Sequence, residues 1–416
     1  MSLAWISVGA LLLAVILSCI TTINIGVLAL AMAFIVGVFI GDMSPDAAIA
    51  GFPTDLMFTL VSVTLLFSIA NCNGTLARFT NHAVRLCRGN AALLPSMFFM
   101  IGFIIATIGA GATPASALLA PPAMAAAARA GISPLIMAVV AGNGVLAGTL
   151  SPFSPNGIIA NDIMERIGLP GYELYTFGFN AFAHLLVGVA GFLMFGGLKL
   201  FGQTSADSPA ISEATDHDMV MEKQHWVTAA GIVLLIVAVV AFSLDVGMAA
   251  IIIAAALILL RSVDEAQAIK RMPWAVIVMV TGVSVLVAML EETEGMALIT
   301  NGIATVSSPA TIEAIVAFGA GFISVYSSTS GVVLPAFLPM VPSLAEQLGN
   351  IDKLPIALSM SMSASLVDLS SLSTVGALYM ASAAEGTDTR KLFNALLVWG
   401  LSMSVVGALL CWIIFG

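Results

Sequence analysis

Apolar runs separated by short polar breaks follow one another along nearly the whole chain. Of the 416 residues, 60% are hydrophobic and only 9% are charged, whereas soluble domains carry about 25% charged residues. About 20 apolar residues in a helix span a bilayer. The pattern therefore predicts an all-α polytopic membrane protein and excludes a set of soluble domains. The run 1–19 has no basic segment or cleavage site, so we interpret it as the first span.

Short sequence patterns recur in the same order in the two halves of the chain, at offsets between 214 and 220 residues. Composition bias among small apolar residues would not keep the offset so constant. The recurrence predicts a duplicated chain, as in many secondary transporters. The matching pairs are residues 49–53 and 269–273, 80–81 and 300–301, 116–121 and 330–335, and 150–157 and 369–376.

Within residues 91–130, two apolar runs meet at the glycine-rich segment 109–114. The runs are short for full spans, and Arg88 and Arg129 at the outer ends favour one side of the membrane. We predict a re-entrant helical hairpin here and a counterpart at 309–349. An ordinary pair of spans joined by a tight turn is the alternative.

Two further apolar segments are interrupted near their middles. Segment 132–168 contains Ser151-Pro-Phe-Ser-Pro155, and prolines remove amide donors and clash with a continuing helix. Segment 354–385 carries five hydroxyl or carboxyl side chains within residues 368–376. Such breaks are tolerated in hydrocarbon only where they line a cavity or are buried in protein, so we predict a broken helix in each half.

The charges favour ten spans and two hairpins, with both termini outside and a cytoplasmic linker at 202–225. Eleven of the 13 Lys and Arg residues then lie on the cytoplasmic side, as the positive-inside bias requires. Five spans per half make the two repeats inverted. We expect a bacterial-type inner (plasma) membrane. The net charge of −10 argues against nucleic acid as a partner. The eleven are Arg78, Arg85, Arg88, Arg129, Lys199, Lys223, Arg261, Lys270, Arg271, Arg390 and Lys391.

Inverted hairpin tips and helix breaks should meet near the bilayer midplane, where half-helix N-termini present amide donors and partial positive charge. Hydroxyl and amide side chains beside them suit a carboxylate guest, although serines and threonines also bond to helix carbonyls for purely structural reasons. Asp368, an acid within an apolar run, suggests a cation ligand or a proton carrier, with a structural acid as the alternative. The residues proposed for the anion are Thr113, Ser154, Asn156, Thr329, Ser373 and Thr374. Asn143, Asn180 and His184 are predicted to form hydrogen bonds between helices.

The Ser-Pro-Asn-Gly break at 154–157, the serine-rich second break and the paired hairpins resemble the MatC-type malonate (dicarboxylate) carriers. These carriers are related to the divalent anion–sodium symporters (DASS) of the ion transporter superfamily. The resemblance implies a homodimeric symporter in which a transport part moves like an elevator against a scaffold. It also implies Na⁺ as the coupling ion, with H⁺ as the alternative, and no covalent cofactor. The boundaries are 1–90 (scaffold of repeat 1), 91–201 (transport part of repeat 1), 202–225 (linker), 226–308 (scaffold of repeat 2) and 309–416 (transport part of repeat 2).

The symporters carry Ser-Asn-Thr at each hairpin tip, where sodium and substrate carboxylates bind. This chain departs from that pattern, with Gly111-Ala112-Thr113 at the first tip and Ser327-Ser328-Thr329 at the second, which leaves the number of sodium sites open. Asn156 matches the asparagine after the break. The substrate-binding set is Thr113, Ser116, Ser154, Asn156, Ser328, Thr329, Ser330, Ser373 and Thr374. The Na⁺ set is Gly111, Ala112, Ser151, Ser327, Asp368 and Ser370.

Two other transporter functions stay open at this point. The membrane subunit of a tripartite (TRAP-type) acid transporter would need a separate binding protein. A cation/proton antiporter would need paired intramembrane acids, and Asp368 is the only candidate acid. A membrane-embedded hydrolase would need an activated nucleophile, and no His–Asp pair of suitable spacing accompanies the hydroxyls, so we do not expect an enzyme.

Overall fold

The computed structural model describes residues 3–21, 23–85, 93–202 and 220–416, and every regular element in these ranges is helical. By length and composition, five of the described helices can cross a membrane, and several shorter helices are also apolar. The prediction of an all-α, multi-pass membrane protein is therefore confirmed. The five are Thr54–Cys72, Leu93–Ala110, Glu173–Met194, Trp274–Glu292 and Thr389–Phe415.

The first half contains ten α-helices among the described residues, and π-helical turns extend two of them. They are α1 (Leu3–Ile20), α2 (Ile25–Phe34, extended by Ile35–Ile40), α3 (Pro45–Ile49), α4 (Thr54–Cys72), α5 (Thr75–Arg85), α6 (Leu93–Ile105, extended by Ala106–Ala110), α7 (Ala112–Arg129), α8 (Pro134–Ala147), α9 (Pro155–Arg166) and α10 (Glu173–Met194).

The second half has the same order of elements, with its second hairpin arm divided into short pieces. They are α11 (Lys223–Phe242), α12 (Val246–Leu259), α13 (Glu265–Lys270), α14 (Trp274–Glu292), α15 (Gly295–Thr305), α16 (Ile312–Tyr326), the π turn Thr329–Val333, α17 (Leu334–Phe337), the 3₁₀ turn Leu338–Met340, α18 (Val341–Gln347), α19 (Lys353–Leu366), α20 (Thr374–Ala381) and α21 (Thr389–Phe415).

Packing between the halves is reciprocal. Helix α2 packs on α14 and α4 packs on α12, so the second and fourth helices of each half exchange partners. Likewise α7 contacts α20, while α9 contacts α17. A duplicated chain predicts such an exchange; inversion of the second copy in the membrane stays a prediction.

The last residues of the predicted linker, 202–225, belong to a helix in the structure. Helix α11 begins at Lys223, because the side chain of Glu222 and the ring of His225 cap the helix start reciprocally. Residues 203–219 of the linker, and Arg88 before the first hairpin, lie outside the described residues.

Both predicted helix breaks are present. Each contains an equivalent hydrogen bond, from a backbone amide to the hydroxyl of the serine two residues before it. In the first, between α8 and α9, the Phe153 N–H donates to the Ser151 hydroxyl (3.3 Å). In the second, between α19 and α20, the Leu372 N–H donates to the Ser370 hydroxyl (3.3 Å). The two serines thus accept an amide hydrogen that the interrupted helix has freed.

A glycine lies directly beside each of these serines. A Cβ on Gly157 would lie 1.9 Å from the Ser151 carbonyl oxygen, and one on Gly376 would lie 2.0 Å from that of Ser370. No side chain fits at such a distance from backbone. Glycine is therefore required for the second half-helix to pass so close to the first.

The two hairpins turn by different means. In the first, between α6 and α7, Gly109 and Gly111 have positive φ angles of 121° and 77°, which glycine adopts at little cost. In the second, Ser327 and Ser328 are extended, and the Ser328 hydroxyl accepts the Gly331 N–H (3.2 Å). The first tip thus depends on glycines with positive φ angles, and the second depends on the hydrogen bond that Ser328 accepts.

We expect Gly157→Ala and Gly376→Ala each to destabilise the folded protein by about 3 kcal/mol or more, because the added methyl group overlaps backbone. Thermal unfolding of the purified variants in detergent measures this. Gly178→Ala in α10 is the matched control, since nothing lies within 4 Å of its added Cβ. If Gly157→Ala unfolds at the same temperature as this control, the packing argument is wrong.

Candidate functional site

A cavity of about 140 Å³ lies where both hairpin tips and both helix breaks converge, and it can hold several water molecules or a small solute. Helix α4 and the turn between α13 and α14 complete its wall. The lining residues are Thr64, Phe67, Ser68, Asn71, Leu76, Gly109, Ala110, Gly111, Ala112, Thr113, Pro114, Pro155, Asn156, Arg271, Pro273, Val276, Ser327, Ser328, Ser330, Asp368, Ser373, Thr374 and Val375.

Most residues predicted from the sequence for substrate or sodium line this one cavity. Those that line it are Gly111, Ala112, Thr113, Asn156, Ser327, Ser328, Ser330, Asp368, Ser373 and Thr374. Those that do not are Ser116, Ser151, Ser154, Thr329 and Ser370.

Of the predicted residues outside the lining, Ser151 and Ser370 make structural hydrogen bonds. The Ser151 hydroxyl donates to the Thr107 carbonyl (2.7 Å), which ties the first break to the first hairpin. Ser370 makes the corresponding local bond in the second break. Ser116 and Ser154 are buried, and the structure gives their hydroxyls no hydrogen-bond partner.

Helix N-termini point toward the cavity from both halves. Helix α7 begins after Gly111 without a side-chain cap, and α9 begins after Ser154, whose hydroxyl also caps nothing. Helix α20 begins at Thr374, where the Ser373 hydroxyl accepts the Gly376 N–H (3.2 Å). Uncapped N-termini leave amide donors and partial positive charge facing the cavity, a suitable environment for an anion.

Asp368 is the one acidic side chain in the described cavity lining. Its Oδ1 accepts hydrogen bonds from the hydroxyls of Thr329 (2.7 Å) and Ser324 (3.4 Å), both from the second hairpin. The Thr329 hydroxyl also lies 2.9 Å from the Ala364 carbonyl. Thr329 is buried and does not line the cavity. Its hydroxyl therefore positions the Asp368 carboxylate from the protein side, away from the cavity.

A buried polar network lies behind the breaks. The His184 ring contacts Asn143 Oδ1 through Nδ1 (2.8 Å) and the Ser365 hydroxyl through Nε2 (3.1 Å), and all three residues are fully buried. Asn180 donates to the carbonyls of Leu146 (3.0 Å) and Ala147. The predicted interhelical bonds of Asn143, Asn180 and His184 are confirmed, and they fix α8, α10 and α19 together.

Sequence reasoning missed the wall that α4 contributes. Thr64, Ser68 and Asn71 line the cavity from this otherwise apolar helix. Their spacing of four and then three residues places them on one helical face, and such a polar stripe in an apolar span was the available signal. Arg271 was also missed as a site residue, because it precedes its span in the sequence and reaches the cavity only through folding.

The geometry predicts different accessibility for two neighbouring positions on α7. In a variant without native cysteines, Thr113→Cys should react with a water-soluble thiol reagent at least about tenfold faster than Ser116→Cys, since thiol reactivity follows exposure. Thr113 is exposed on the cavity whereas Ser116 is fully buried. Equal labelling rates in detergent-solubilised protein would contradict this description of the cavity.

Residues 1–149 match the family model described as "Dicarboxylate carrier protein MatC N-terminus". No curated protein matches the chain. The matched part extends from α1 through the first hairpin and α8 to Thr149 at the start of the first break. In this part the chain is similar to the N-terminal region of dicarboxylate carrier proteins of the MatC type.

Proposed function

We propose that this chain is a secondary active carrier that takes up a small dicarboxylate by sodium symport with an elevator motion. Malonate is the favoured substrate. The observation that carries the proposal is the convergence of two hairpin tips and two helix breaks on one small polar cavity. The similarity of residues 1–149 to dicarboxylate carriers supports the same substrate class.

Recognition of the anion rests on donors that belong to both halves. Thr113 and Asn156 come from the first half, and Ser328 and Thr374 come from the second. Hydroxyl and amide donors beside uncapped helix N-termini bind carboxylate oxygens without burying a full positive charge. A dicarboxylate has a carboxylate at each end, so donor sets on two sides of a small cavity suit a short diacid such as malonate.

Sodium coupling is supported by the oxygen atoms near Asp368. Ser327 and Asp368 line the same cavity, and sodium, a hard cation, prefers hydroxyl and carboxylate oxygen ligands of this type. A cation beside Asp368 would also neutralise a carboxylate that is costly to keep charged in an apolar segment. Proton coupling through Asp368 is the alternative.

The packing supports two groups of helices that can move against each other. In the first half, α6 packs on α8 and α8 packs on α10; in the second half, α16 packs on both α19 and α21. The other group is held by α2 on α14 and α4 on α12. We assign the first group to the transport part and the second to the scaffold. The homodimer and the inner-membrane location are part of the same proposal.

Purified protein in proteoliposomes should accumulate labelled malonate when an inward sodium gradient is applied, because the gradient supplies the driving force. Uptake without sodium contradicts the coupling. Absence of malonate uptake under any sodium or proton gradient contradicts the substrate assignment. Transport by the purified chain alone also excludes a tripartite system, which depends on a soluble binding protein.

Asp368→Asn should abolish sodium-driven accumulation while counterflow of malonate across the membrane persists, because the amide keeps the shape of the cavity and removes the charge that attracts the cation. The measurement is uptake as a function of sodium concentration. Glu385→Gln is the matched control, since Glu385 is exposed and lies outside the cavity lining. An unchanged sodium dependence of Asp368→Asn would exclude Asp368 as the coupling residue.

A further inference from the structure

Arg271 is the only basic residue among the described residues that line the cavity. It is exposed, and the described part of the structure assigns its side chain no hydrogen bond or ion pair. An unpaired guanidinium at the edge of a cavity that takes up a dianion attracts that dianion at long range and orients it at close range.

The backbone that carries Arg271 is held in place. The Ser68 hydroxyl of α4 donates to the Ala268 carbonyl (2.6 Å), and the Trp274 indole donates to the Ile269 carbonyl (2.9 Å). The Arg271 N–H donates to the Gln267 carbonyl (3.1 Å), and the next residue, Met272, is buried. These bonds therefore fix the backbone position of Arg271, whose side chain has no hydrogen bond or ion pair with any residue that the structure describes.

The matching position in the first half cannot carry a charge. Pro53 corresponds to Pro273 at an offset of 220 residues, so Gly51 corresponds to Arg271. A Cβ on Gly51 would lie 2.1 Å from the Cβ of Ala288 on α14. Close helix packing thus excludes any side chain at Gly51, so of this matched pair of positions only the one in the second half carries a positive charge.

From these observations, and on the basis of the proposed function, we infer that Arg271 is a substrate-recruiting residue for one face of the membrane only. Arg271 lies on the proposed scaffold part. It therefore stays at one face of the membrane when the transport part carries the binding site to the other face. Arg271 therefore lowers the KM for the dicarboxylate on its own side, the cytoplasmic side in the predicted topology. The ion gradient still determines the direction of net transport.

Transport measured from each face separately tests this inference. Intact cells report the KM for external malonate, and inverted membrane vesicles report the KM at the cytoplasmic face. We expect Arg271→Gln to raise the KM about five- to tenfold in one preparation, the vesicles in the predicted topology, and to leave the other within about twofold, as expected for one charge near a dianion in aqueous surroundings. The difference between wild type and variant should shrink in high salt, which screens such interactions.

Two further variants make the result specific. Lys270→Gln removes the same charge from the adjacent exposed residue, which does not line the cavity, and it should leave both KM values unchanged. Arg271→Lys retains the charge and should recover most of the loss, which also shows that the position tolerates substitution. Equal effects of Arg271→Gln on both faces, or no effect on either, would overturn the inference while the proposed function stands. Failure of the wild-type protein to transport dicarboxylate in either preparation would overturn both.

Discussion

A helix that stops inside an apolar environment leaves backbone amide and carbonyl groups without partners, and the architecture of this protein follows from how those groups are satisfied. Each break has a serine, Ser151 or Ser370, that accepts one freed amide. Each also has a glycine, Gly157 or Gly376, that lets the second half-helix approach the first. With these groups satisfied locally, the remaining donors of the half-helices face the cavity. The same constraint therefore stabilises the breaks and creates the candidate site.

Asp368 and Arg271 are the charged side chains among the described residues that line the cavity. Asp368 accepts hydrogen bonds from hydroxyls of the second hairpin, whereas Arg271 lies in the turn between α13 and α14. Neutral donors from the two halves occupy the space between. In a low-dielectric environment this arrangement avoids the desolvation cost of a permanently buried cation. Under the proposed function, helix ends and a co-transported ion would balance the charge of the dicarboxylate. Sodium symport of a dianion is consistent with that balance.

The two halves are similar in order but not in detail, and the differences concentrate at the site. One hairpin tip turns through glycines with positive φ, and the other is extended and capped by Ser328. Ser373 caps its half-helix, whereas Ser154 in the matching place has no hydrogen-bond partner in the structure. Thr149 stands where the second half has Asp368. Two halves with the same order of helices but unequal tips are what the proposed function requires, because an anion and a cation need different ligands.

The sequence by itself determined the all-helical membrane class, the positions of both helix breaks and most of the polar cavity lining. These features depend on local rules, because apolar runs, prolines and glycines act on the few residues around them. It also identified Asp368, since an acid within an apolar run is conspicuous in any sequence. The re-entrant course of the hairpins stays a prediction, since Leu93–Ala110 is long and apolar enough to cross a membrane. Only the tertiary structure decided that Thr329 supports Asp368 from behind, that the stripe on α4 faces the cavity, and that Arg271 reaches it. Those outcomes depend on which distant helices pack together, and residues 200 positions apart, such as Ser68 and Ala268, come into contact only when the chain has folded.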